Sequence, residues 1–131
     1  MKSIGYCCFL ILLLAGCNQV LQTPPKEAKL KHIVLLWLNE PGNIHDRKQL
    51  IDAAGVLQRI PGVIEISVGE PVASDREVVD NSFDVAYIFT FEDVEAMNNY
   101  LIHHEHKKAV NDLIRPKVAK MLVYDYFEAL P

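Results

Sequence analysis

The segment Lys31–Leu38, KHIVLLWL, constrains this chain most, because it is apolar on both sides of an extended backbone. In a strand, alternate residues face opposite ways, so Val34, Leu36 and Leu38 lie on one face and Ile33, Leu35 and Trp37 on the other. The closing segment, KMLVYDYFEAL, repeats the pattern, with Met121, Val123 and Phe127 against Leu122, Tyr124 and Tyr126. FDVAYIFTF does the same, with Phe83, Val85, Tyr87, Phe89 and Phe91 against Ala86 and Ile88. Strands of this kind need cover on both faces of their sheet.

Between the strands, residues 44–59 have helical spacing. Leu50, Ala53, Ala54 and Leu57 share one face with Ile51 at its margin, and Lys48, Asp52 and Arg59 face outward. Pro61-Gly62 stops this helix. VIEISVGE alternates, which predicts a strand with Ile64, Ile66 and Val68 on one side, and residues 71–82 read as a polar loop. EDVEAMNNYLIHHEHKKAVNDLI is helical in two pieces. The first carries Val94, Met97, Tyr100 and Leu101, the second Val110, Leu113 and Ile114, and Pro116 disturbs or caps the second. The order is strand, helix, strand, strand, helix, strand. It predicts an α+β, ferredoxin-like fold: an antiparallel four-stranded sheet with helices on one face. There is no internal repeat and no second domain. The uncovered face is too apolar for water, so the expectation is a twofold homodimer through it, or else a monomer in which the 71–82 loop folds over it.

The first sixteen residues do not belong to that domain. Lys2 precedes an apolar run, Tyr6–Leu14, that is too short to span the roughly 30 Å of a bilayer core. Leu14-Ala15-Gly16-Cys17 resembles the bacterial lipobox, in which the cysteine takes diacylglycerol, the preceding peptide is removed and the new terminus is acylated, as by palmitate. The competing readings are a transmembrane anchor and a plain cleaved signal. The expected division is therefore a lipoprotein signal peptide at 1–16, lipidated Cys17 with a tether to residue 30, and a domain at 31–131. Two or more acyl chains anchor stably where one does not. If the organism is Gram-negative, Asn18, which is not the aspartate that favours inner-membrane retention in the lipoprotein pattern, points to the outer membrane facing the periplasm. Cys7 and Cys8 leave with the signal, so the exported domain has no disulfide. Of 13 basic and 17 acidic side chains only Lys2 is lost with the signal, leaving a formal charge of −5. That balance speaks against a nucleic-acid partner.

Five histidines lie in the exported part. His45, beside Asp46 at a helix start, reads as surface. His32 begins the first strand and either satisfies a backbone group or points a titratable ring into a cavity. In YLIHHEH, Tyr100, His103 and His104 share one side of a helix, and His106 joins them only if the helix breaks. The donors suffice for zinc, but their spacing matches no strong metal motif. General acid–base work suits them better: an imidazole takes a proton, a nearby phenol polarises a carbonyl, and Asp125 can fix an imidazole tautomer. The structural alternative is that Tyr100 and His106 hydrogen-bond within the polar rim of a dimer.

From Lys31 to Glu128 the blocks KHIVLLWL, IPGVIEISVGEPV, FDVAYIFTFEDVEAMNNYLIHHEH and KMLVYDYF, in that order, resemble the stress-responsive dimeric α/β-barrel family. The resemblance implies a homodimer whose sheets close into a barrel, with a cleft between each sheet and its helices. It also implies, from plant relatives that cyclise polyketides without a cofactor, that His106 is a base partnered by Tyr100. His32 would share that pocket and Asp125 would support the catalytic histidine. Two departures stand out: His104 replaces the proline usual after the first histidine of the cluster, and Ala53 falls near a tyrosine of the cyclising relatives. The resulting expectation is a lipid-anchored, homodimeric stress-response-type barrel protein of undefined small-ligand role, with a small apolar molecule as the candidate partner. The alternative is a cofactor-independent enzyme using His106 and Tyr100 for aldol-type, lyase or monooxygenase chemistry. Neither calls for a metal or a cofactor.

Overall fold

The structure, a computed structural model, describes residues 28–129. The leader at 1–16, Cys17 and most of the tether expected from the sequence lie outside the described residues. The elements run β1 (Leu30–Leu38), α1 (Ile44–Leu57), β2 (Val63–Gly69), β3 (Val85–Phe91), α2 (Val94–Ile102), α3 (His104–Ala109), a π turn (Val110–Ile114), α4 (Arg115–Lys117) and β4 (Val118–Phe127). The strands form one antiparallel sheet in the order β2-β3-β1-β4. This is the ferredoxin-like arrangement expected from the order of elements.

Burial along β1 alternates residue by residue. Leu30, His32, Val34, Leu36 and Leu38 are buried beneath the helices, and the residues between them are half-buried on the other face. Val85, Phe89 and Phe91 of β3 join this core, and Leu50 and Leu57 of α1 and Met97 and Tyr100 of α2 close it from above. The helix starts are capped as their sequences dictate. The Asn43 side chain accepts from the amides of His45 and Asp46, and Asp93 accepts from Ala96 N at 2.8 Å. Among the described residues the core draws on β1, β3, α1 and α2, with residues of β2 and β4 packed against it.

β2 departs from the expected register. A bulge between Val63 and Glu65 pairs Val63 with Phe91 and Glu65 with Thr90. Val63 thereby joins Ile66 and Val68 against the core, and Ile64, expected on that side, is the extra residue and stays 50% exposed.

The face away from the helices is apolar at its centre. Ile33 pairs with Ile88 and Tyr124, and Leu35 with Ala86 and Leu122. The 71–82 loop does not cover it. The loop's own Val72 and Val78 stand in solvent, and the loop reaches the sheet through Ser82, which accepts from Trp37 Nε1 at 2.9 Å. Lys120 lies 4.0 Å above the Trp37 ring at the margin of this face.

Asp84 knots three elements together. Its carboxylate accepts from Leu38 N at 2.9 Å, Gly42 N at 2.8 Å and Arg47 Nη2 at 3.2 Å. Burial works against its charge, but these donors outweigh burial and hold the carboxyl below its ordinary range. Gly42 takes φ +77°, a turn conformation that suits a residue without Cβ.

Candidate functional site

The two-piece helical region creates the site. α2 ends at Ile102, and His103 is extended, with φ −63° and ψ 143°, before α3 restarts at His104. His103 Nδ1 caps the new start by accepting from Glu105 N at 3.3 Å. The break swings His106 back over Tyr100, with ring centroids 4.6 Å apart. His103 and His104 do not join them. They stack on each other at 4.4 Å, and exposed His104 lies 3.2 Å from Glu105. The face shared by Tyr100, His103 and His104 in a continuous helix is therefore replaced by Tyr100 with His106. His45 is exposed, as its position at the start of α1 suggested.

Beneath the break lies a cavity of about 260 Å³ between the helices and the β1–β4 half of the sheet. Its walls include Val34, Phe89, Val110, Ile114 and Val123, and its polar groups are those of His32, Tyr87, Tyr100 and His106. The π turn has a local cause. Pro116 has no amide hydrogen and its ring crowds the carbonyl four residues back, so the chain widens to a bond from Arg115 N to Val110 O. In the wider turn a residue every fourth place keeps to one side, and His106, Val110 and Ile114 all reach the cavity wall.

The His106 ring is held in one orientation by the main chain. Its Nδ1 donates to the Leu101 carbonyl at 2.9 Å, because a carbonyl can only accept. Neutral His106 therefore carries its proton on Nδ1 and leaves the Nε2 lone pair unprotonated. Burial lowers its pKa below the ordinary histidine value. The Leu101 bond opposes this, and the positive fields of His32 and Lys107 add to it. Tyr100 is 1% exposed and packed 5.2 Å from both Phe89 and Phe91. Burial pushes its phenol above the usual tyrosine range, so it remains a neutral O–H donor.

His32 resolves its two sequence readings in favour of the cavity. It is 7% exposed, lines the cavity and lies 5.6 Å from the Phe89 ring. Register places it opposite Asp125, whose Oδ1 accepts from its Nδ1 at 2.6 Å. This corrects the role expected for Asp125, which fixes His32 and not His106. The group that fixes His106 is the Leu101 main chain, which a reading of side chains misses. The available signal was the helix end, where the last carbonyls of α2 lack intrahelical partners. Among the described residues no group of three His, Cys, Asp or Glu side chains converges to hold a metal ion.

The chain matches the family model described as the Stress responsive A/B Barrel Domain over residues 30–128. A search of curated proteins gave no match. Among solved structures, a ferredoxin-like Dabb family protein from Mesorhizobium loti is 24% identical. The match covers 80% of this chain and 100% of that one, with a TM-score of 0.65. The hydroxynitrile lyase of Passiflora edulis is also 24% identical, covering 82% of this chain and 100% of its own, with a TM-score of 0.68. A dimeric ferredoxin-like protein of unknown function from Thermobifida fusca is 21% identical, covering 76% and 90%, with a TM-score of 0.61. Likeness at this level of identity establishes the fold.

Proposed function

We propose, from the premise that the chain belongs to the stress responsive A/B barrel domain family, that it is an exported, lipid-anchored homodimer that binds a small, mostly apolar molecule in the cavity under His106. The observation that carries the binding reading is the cavity itself. It is walled by apolar side chains, and a few polar groups, among them His32, Tyr100 and His106, converge on it. The apolar sheet face supports the homodimer, as does the dimeric state of the Thermobifida fusca neighbour. The anchor rests on Leu14-Ala15-Gly16-Cys17.

Native mass spectrometry of the domain, residues 28–131, purified from extract, tests dimer mass and retained ligand together. A dimer carrying a small molecule is expected, and an empty monomer overturns the reading. For the anchor, Cys17→Ser in the full chain should move the protein from the membrane fraction to uncleaved precursor or the soluble fraction. Unchanged fractionation and detergent partitioning would refute lipidation.

A second reading has a specific observation in its favour. His106 offers an unprotonated Nε2 lone pair on a half-buried ring that lies beside the neutral Tyr100 ring. In this reading His106 takes a proton from a bound hydroxyl or an activated carbon, and Tyr100 donates to a neighbouring oxygen. The likeness to a hydroxynitrile lyase supplies a probe. Proton loss from the hydroxyl of a hydroxynitrile to His106 Nε2 would break the C–C bond to the nitrile and form a carbonyl. Cyanide would leave and take up the proton. Cyanide release by the wild-type domain, abolished in His106→Gln with the dimer intact, is the expected result. Turnover unaffected by that substitution would remove His106 from the chemistry.

The imidazole itself gives a pH test. Its folded pKa lies below the ordinary value of 6.5, so in the window between the two the unfolded chain binds the extra proton. Stability should therefore fall as pH drops through that window, and His106→Gln should flatten the slope. An NMR titration of the ring with its midpoint below 6.5 is expected, and a midpoint at or above it contradicts the desolvated site.

A further inference from the structure

Behind His106 the structure holds a second concavity, of about 370 Å³, lined by Leu101, His106, Lys107, Val110, Asn111 and Arg115. Leu101, His106 and Val110 also line the apolar cavity, so these three residues border both spaces. The division is built into the helical sequence. His106, Val110 and Ile114 step along one row into the apolar cavity, and Lys107, Asn111 and Arg115 step along the adjacent row into the outer space.

The outer row carries two cations, Lys107 and Arg115, that, like Arg59, Arg76 and Lys120 elsewhere, have no acidic partner among the described residues. Lys29, Lys31, Arg47, Lys48, Lys108 and Lys117 each have one. No carboxylate lines this space. On a chain of formal net charge −4, it is a local cationic site beside an apolar one.

We infer that the ligand is an amphipathic monocarboxylate, with its apolar body in the cavity under Tyr100 and its carboxylate in the vestibule formed by Lys107, Asn111 and Arg115. This rests on the cavity-binding reading and adds the chemical class of the ligand. Lys107 supplies a compact charge, and Arg115 a planar donor pair matched to a carboxylate. Asn111, between them, contributes an uncharged donor. Because His106 borders both spaces, a ligand occupying both would place the group next to its carboxylate near that ring.

Calorimetric titration of the 28–131 domain with octanoate and with octan-1-ol, which share a tail and differ in the head, tests this. Octanoate should bind about tenfold more tightly, and the double variant Lys107→Gln/Arg115→Gln should lose that preference and keep the affinity for octan-1-ol. Lys108→Gln, on the opposite row, should change neither. Equal wild-type affinities, or a double variant that keeps the preference, overturn the vestibule and leave the cavity reading standing. Binding of neither probe overturns both.

Discussion

Asp84→Ala should destabilise the domain by about 3 kcal/mol, because it removes one acceptor shared by three donors. Leu38 N, Gly42 N and Arg47 Nη2 all converge on this carboxylate, and so do the end of β1, the following turn and the start of α1. Arg47 is the costliest orphan. Its Nε is already buried without a partner, and its remaining acceptor is half-exposed Glu70 at 3.2 Å. Urea unfolding of the 28–131 domain measures the effect, and a loss below about 1 kcal/mol would show the knot to be energetically minor. The pH dependence has a definite sign. Asp84 has a folded pKa below its ordinary value of 3.8, so its charge stabilises fully above that value. The contribution is lost as pH falls through the lower folded value. Wild type and Asp84→Asn should therefore differ most near neutrality and converge in acid.

Leu35→Glu should convert the proposed dimer to a monomer with little change in the fold. Leu35 lies at the middle of the apolar face, paired with Ala86 on one side and Leu122 on the other, and it points away from the helix-side core. In a lone domain a glutamate there faces water. In a face-to-face dimer it would bury a carboxylate from each subunit in an apolar interface, which is strongly unfavourable for an unpaired charge. Sedimentation at micromolar concentration with circular dichroism separates the outcomes. The expected result is half the wild-type mass with an unchanged spectrum. A dimer that survives the substitution would place the subunit contact elsewhere, and a monomeric wild type would remove the barrel.

The fold was legible because its decisive signals are runs and spacings of apolar residues. The dense apolar runs KHIVLLWL and KMLVYDYF mark two strands, and the three- and four-residue spacing of Leu50, Ala53, Ala54 and Leu57 marks a helix. The bulge at Val63 escaped because a one-residue insertion leaves the alternation intact on paper. It moves Ile64 out of line only once Phe91 and Thr90 are present as partners. The site was legible as a set of residue types. Tyr100 and His106 meet because the helix breaks, and the sequence already required a break for that pairing. The partner of Asp125 was not legible, because it depends on β4 pairing with β1 in a register that sets Asp125 opposite His32. The vestibule escaped for a similar reason. Lys107 and Lys108 look alike in sequence, yet Lys108 binds Asp112 across the helix and Lys107 faces the space behind His106.

The bond from His106 to Leu101 ends on a main-chain oxygen, and this affects how the site tolerates inherited change. Any amino acid at position 101 carries the same carbonyl, so point substitution there alters the cavity wall but spares the acceptor that holds the Nδ1 proton. A single-codon insertion or deletion between 101 and 106 would separate the two groups even if every functional side chain were kept. The site is therefore buffered against drift in letters and fragile to drift in length.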